Sequence, residues 1–169
     1  MSILPLLVMI DITMMSILYT GAVLNFEKSE STMPSLLVTP VSSEQLILSK
    51  IIANVIHQTI STLLVVFVFI LIRDVSVNLF LLIPVMMLSV ALHTLIGFFF
   101  SYTSKDFTSL LANMMVVMIL LTIPSVLIYV DVWQVSGVLE YVVLLNPIEQ
   151  SLHLVNSVFG KTYDAGFYI

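Results

Sequence analysis

Three long stretches of this chain, Ile51 to Ile72, Leu79 to Phe100 and Phe107 to Val130, contain no Asp, Glu, Lys or Arg, and a fourth, Ile3 to Leu24, contains only Asp11. An apolar helix of about 20 residues crosses the hydrocarbon core of a bilayer. In that medium a helix satisfies its own backbone, whereas an open strand leaves its polar edges stranded. A membrane β-barrel would instead show segments of about ten residues alternating apolar and polar, and no such alternation is sustained here. The expected fold is therefore an all-α membrane protein, one transmembrane domain over residues 1–169 with four antiparallel spans at about 3–24, 51–72, 79–100 and 107–130.

Composition supports this class: 60% of the residues are hydrophobic and 9% charged, against about 25% charged in soluble domains. The five basic residues, Lys28, Lys50, Arg73, Lys105 and Lys161, are scattered, which excludes a nucleic-acid footprint. Without cysteine there is no disulfide framework and no thiolate chemistry. The segment Met1 to Ile10 lacks the basic n-region of a signal peptide and reads as the start of a span.

Lysines near span ends set the orientation. A cytoplasmic loop 25–50 and a cytoplasmic break Ser101 to Asp106 put Lys28, Lys50 and Lys105 inside and Arg73 outside. Both chain ends then fall outside, which is the expectation for a fragment lacking flanking spans. Beyond the fourth span, Trp133 and Tyr141 suit the membrane boundary and Val135 to Leu145 is too short to cross. Asn146-Pro147-Ile148-Glu149 reads as a helix start, with Asn at the cap and Pro at the first position. Short external helices over 133–160 follow.

Asp11 stands near the middle of its span, where a carboxylate costs about 2.5–3.5 kcal/mol. Two readings stand: a structural tie between helices, or a contact with a proton or substrate. Thr13, Ser16 and Thr20 form a polar stripe almost opposite Asp11, so this helix is expected to pack within the assembly. On the second span Lys50, Asn54, His57, Gln58 and Ser61 share one arc, either lining a route or bonding to neighbouring helices. Ser89, His93 and Gly97 form a ladder suited to close helix contact on the third span. On the fourth, Met114, Met118, Thr122 and Ser125 share a face, and Pro124 is expected to kink the helix. His57 and His93 lie on different spans, so no metal site is expected. No catalytic triad, HExxH, P-loop or glycine-rich phosphate motif occurs; neither a catalytic residue nor a cofactor is expected, and any nucleotide chemistry belongs to another chain.

The loop between the first two spans is the most distinctive segment. It runs Glu27-Lys28, Thr32, Leu36-Leu37-Val38, Thr39-Pro40 and Ser42, with Ser42 and Gln45 offering a capping box for a helix that continues through Lys50. In this order it resembles the loop between the second and third spans of type-2 ABC exporter permeases, which include fluoroquinolone export permeases. Ser31 stands where that family has Gly, and Pro34 falls inside its short helix. The resemblance implies a multi-pass protein of the cytoplasmic membrane exporting drug-like, lipid or other amphipathic substrates. It implies one further span before Met1 and one after Ile169, a second permease copy, and a cytoplasmic ABC ATPase docked on a coupling helix. The ATPase-coupling residues would be Glu27, Glu30, Thr32, Met33, Leu36, Leu37, Thr39 and Pro40. The pathway would be lined by Asp11, Thr13, Ser16, Thr20, Met114, Met118 and Thr122, with lipid around it. An ion-coupled secondary transporter and a non-transporting membrane scaffold are the alternative classes.

The lysine distribution generates a direct test. A single cysteine replacing Ser76 should react with an impermeant maleimide in intact cells. Reaction only after permeabilisation would overturn the orientation.

Overall fold

The computed structural model describes residues 4–31, 41–72 and 77–159. Within them the chain forms six helices: α1 (Leu4–Ser29), α2 (Ser43–Ile72), α3 (Leu79–Thr103), α4 (Phe107–Tyr129), α5 (Val138–Leu144) and α6 (Pro147–Val158). The first four are long and apolar enough to cross a membrane. No strand occurs among the described residues. The expected coupling helix falls on Thr32–Pro40, outside the described residues, as does most of the connection after α2.

Local chemistry explains where the helices start. Ser42 and Gln45 form the expected reciprocal box: Gln45 N donates to Ser42 Oγ at 3.2 Å and Ser42 N donates to Gln45 Oε1 at 3.0 Å. Asn78 Oδ1 accepts from the backbone of Phe80 and Leu81 at the start of α3. Asp106 accepts from Ser109 N at 2.7 Å, and Ser109 Oγ accepts in return from Asp106 N at 3.2 Å. The Ser109 backbone bond, joined by its hydroxyl, holds the Asp106 carboxyl below the usual carboxylate range. That contribution to α4 is complete above the ordinary carboxylate pKa and fades as pH falls through the depressed value.

Two helices outrun their apolar windows at the same end. α1 continues past Leu24 to Ser29, and α2 begins at Ser43 rather than at Ile51. With 30 residues α2 is roughly 45 Å long, against about 30 Å of hydrocarbon. Its first turns therefore project beyond the bilayer core. This end, which also carries Lys105, is called the lysine end below.

α1 is the central element. It packs along α3, with α2 and α4 beside this pair and α6 laid over the end remote from the lysines. One apolar cluster joins Val8, Met9 and Ile12 of α1, Leu82, Met86 and Val90 of α3, and Leu152, Val155 and Val158 of α6. A second, nearer the lysine end, joins Ile17 to Leu110, Met114 and Met118 of α4. The short helices after α4 thus differ in kind: α5 is mostly exposed, whereas α6 is buried along most of its length.

Glycine permits the central contact. A Cβ on Gly97 would lie 2.8 Å from the Ile17 carbonyl oxygen and 3.1 Å from Thr20 Cβ. A Cβ on Gly21 would meet the end of the Met114 side chain, which can swing aside. Gly97→Ala should therefore push α1 from α3 and cost about 1–3 kcal/mol, while Gly21→Ala should cost clearly less. Thermal unfolding in detergent micelles measures both; equal losses would show that the α1–α3 approach is not limiting.

Candidate functional site

Polar side chains inside the bundle gather where α1, α2 and α3 meet. Asn54 is 2% exposed. Its Nδ2 donates to Thr20 Oγ1 of α1 at 3.1 Å and to Thr94 Oγ1 of α3 at 2.7 Å, joining three helices through one amide. Thr94 in turn donates to the Val90 carbonyl one turn back, at 2.7 Å. Further along, Thr13 of α1 and His93 of α3 are both fully buried and bond at 3.3 Å. His93 Nδ1 lies 2.7 Å from the Ser89 carbonyl oxygen, which can only accept. In a neutral ring Nδ1 therefore carries the hydrogen, and Nε2 accepts from the Thr13 hydroxyl.

Asp11 has a different setting. Gln58 Nε2 donates to its Oδ2 at 2.9 Å and Thr62 Oγ1 at 3.1 Å, both from α2. The carboxylate is partly buried, and it stands on the α1 face that also exposes Leu7, Met14 and Met15. Of the residues singled out on this helix, Thr13, Ser16 and Thr20 turn inward and Asp11 keeps one side open.

The polar stripe on α2 is confirmed in part and divided. Lys50, Asn54 and Gln58 face α1 and α3, and the row continues to Thr62 at the same spacing of four. His57 turns outward instead, its ring stacked on Tyr19 at 5.5 Å between centroids. A helix of 3.6 residues per turn carries an i+7 residue to the edge of a face that its i+4 and i+8 neighbours occupy. Thr62 and Thr94, which make interhelical or backbone bonds, are the partners that the sequence reading missed.

At the lysine end Glu27 forms an ion pair with Lys50, tying α1 to the first turns of α2. Lys28 Nζ donates to the carbonyl oxygen of Ser101 and lies 4.8 Å from the Tyr102 ring centroid, tying α1 to the end of α3. Phe26 and Phe107 rings, 5.2 Å apart, add α4 to the same cluster. Glu30 is exposed beyond them. The other residues expected to couple to an ATPase, Thr32, Met33, Leu36, Leu37, Thr39 and Pro40, lie outside the described residues.

On α4, Met114 and Met118 are buried against Ile17 and Leu110, and Thr122 is partly buried. The exposed face of this helix is formed by Leu111, Met115, Ile119 and Ile123 instead. Past Pro124, the Asn146 side chain joins two elements. Its Oδ1 accepts from Ile148 N at the start of α6, and its Nδ2 donates to the Leu121 carbonyl at 2.7 Å and to Ser125 Oγ at 3.0 Å. Pro124 has no N–H, which takes the i+4 donor from the Leu120 carbonyl; Asn146 bonds the next carbonyl, Leu121, which also accepts from Ser125 Oγ. On α6 itself, the carboxylate of Glu149 is buried, 3.2 Å from His153 Nε2 one turn on.

The three-helix junction separates two kinds of polar residue by experiment. Asn54→Ala should lower stability by about 1 kcal/mol, a usual figure for an interhelical bond in a membrane. Asp11→Asn should leave it nearly unchanged, since an amide oxygen accepts the same two bonds. Unfolding in micelles decides; an Asp11→Asn loss larger than that of Asn54→Ala would show that the charge itself holds the helices.

A family model described as "ABC-2 family transporter protein" matches residues 1–165. No curated protein and no solved structure matches the chain.

Proposed function

The chain belongs to the ABC-2 transporter family, and from that premise we propose that it is the permease subunit of an ATP-driven exporter in a cell's cytoplasmic membrane. Its cargo is amphipathic, of drug or lipid type. ATP is hydrolysed by a separate cytoplasmic ATPase, and a second permease copy completes the pathway.

The observation that carries this reading is the family match over almost the whole chain, and one piece of geometry supports it. α1 and α2 run past their apolar windows at the lysine end and are joined there by Glu27 and Lys50. The segment between them hangs from two helix ends that are fixed to each other. A push on that segment therefore reaches both spans together. In this reading the lysine end is cytoplasmic and the segment is the coupling element. On a helical turn Met33, Leu36 and Leu37 follow i, i+3 and i+4, which gives one apolar face for a groove of the ATPase. Glu30 and Thr32 flank it, and Thr39 and Pro40 lead back to α2.

For the pathway, the burial of Thr13, Ser16, Met114 and Met118 within one protomer favours the outward faces. The row Leu7, Asp11, Met14 on α1 and the row Leu111, Met115, Ile119 on α4 are the surfaces available to a second copy or to cargo.

Replacing Leu36 and Leu37 together by Ser should release the ATPase or uncouple hydrolysis from transport, with the permease inserted at normal abundance. Co-purification and ATP-dependent efflux from vesicles measure the two effects. A double variant that keeps its ATPase and transports at the native rate removes the coupling assignment.

A further inference from the structure

A cleft of about 290 Å³ opens at the lysine end between α1, α2 and α3. Lys28, Lys50 and Tyr102 lie on its walls, and one turn toward the middle of the bundle it is bounded by Leu24 of α1 and Phe98 of α3. Leu46 and Ile47 close it from α2. Ser43, Leu46, Ile47 and Lys50 follow i, i+3, i+4 and i+7, so a single face of α2 looks into the cleft, and the exposed Glu44 lies off that face. Along α1 and α3 the cleft thus carries Lys28 and Tyr102 at its outer level and Leu24 and Phe98 one turn deeper, while on the antiparallel α2 Leu46 and Ile47 lie on the outer side of Lys50.

The charge balance at this level favours an anion. Among the residues lining the cleft and their ion-pair partner, two ammonium groups, Lys28 and Lys50, stand against one carboxylate, Glu27, and the exposed Glu30 and Glu44 lie outside the lining. Lys50 is the member bound to Glu27. Lys28 lines the cleft and meets a neutral carbonyl and an aromatic ring instead, with no carboxylate among its contacts in the described residues. Each ammonium has three hydrogens and can donate to a phosphate oxygen while keeping its present bond.

We propose that this cleft is a binding site for an anionic phospholipid of the surrounding leaflet. The phosphate sits beside Lys28 and Lys50, with Ile47 on its outer side, and the first part of an acyl chain lies against Leu24 and Phe98. Basic pockets between membrane helices at the headgroup level hold acidic lipids in this way. The volume is near the lower end for ligand pockets, so the rest of the lipid remains in the bilayer. The assignment concerns a lipid bound by the helices themselves and stands apart from the export reading.

Native mass spectrometry of the purified chain, titrated with phosphatidylglycerol or phosphatidylcholine of matched acyl chains, tests it. Phosphatidylglycerol should be held about fivefold more tightly, the worth of one basic group near a lipid surface. Lys28→Gln, which keeps a donor for Ser101, should bring the two lipids to parity. Ile47→Trp should lower phosphatidylglycerol occupancy several-fold with both lysines intact, and it decides the matter alone if Lys28→Gln does not fold. Equal affinity of the native chain for the two lipids would overturn the site, as would unchanged occupancy in the folded variants. Displacement of the lipid by millimolar glycerol phosphate would show a bare anion site and overturn the lipid assignment.

Discussion

The bilayer core offers no water, so each polar side chain within a span must find its partner on another helix or on its own backbone. In this chain Thr13, Asn54, Gln58 and Thr62 meet that requirement between the first three spans, while the buried hydroxyl of Ser16 finds no partner among the described residues. Asn54 can be buried because Thr20 and Thr94 stand opposite it, and Thr13 because His93 does. Rotating α1 by half a turn would turn Thr13, Ser16 and Thr20 to lipid and Leu7 and Met14 inward. The apolar residues alone would not choose between the two rotations, because α1 is apolar almost all round. The polar minority sets the orientation, and dispersion contacts along Val8, Ile12 and Ile17 then fill the space it defines.

Much of this could be read before any coordinate. Three uncharged windows and a fourth carrying only Asp11 identified four spans, and Ser42 with Gln45 and Asn146 with Pro147 marked helix starts where α2 and α6 begin or take their caps. The inward stripes of α1 and α2 were visible as spacings. Pairing was harder to see, since hydrogen bonds between Asn54 and Thr94 or Gln58 and Asp11 depend on the relative rotation and depth of two helices. His57 was grouped with the inward row because a broad arc admits i+7, and Thr62 was passed over because a threonine among valines and leucines carries little signal. The extent of burial of α6 was harder to read: Ile148, Leu152 and Val155 follow the usual spacing of an apolar face, but Glu149, Ser151 and Asn156 are buried beside them.

The two ends of the bundle are fastened by different means. At the lysine end the ties are charged and sit where the helices leave the hydrocarbon: Glu27 with Lys50, and Lys28 with Ser101 and Tyr102. Such contacts are within reach of water and salt. At the other end, among the described residues, α6 lies against α1 and α3 through Leu152 and Val155, and the neutral amide of Asn146 bonds α4.

Asn146 gives α4 a mechanical property that its own sequence lacks. A proline within a helix removes one of the bonds that resist bending, and such a helix ordinarily acts as a free joint. Here the amide of Asn146 grips the Leu121 carbonyl and the Ser125 hydroxyl from outside while its oxygen holds the first turn of α6. The joint is latched. Bending α4 at Pro124 must either break two hydrogen bonds or carry α6 with it, and α6 is seated on α1 and α3. A bend of α4 at Pro124 would therefore also move α6 and the pair on which it sits.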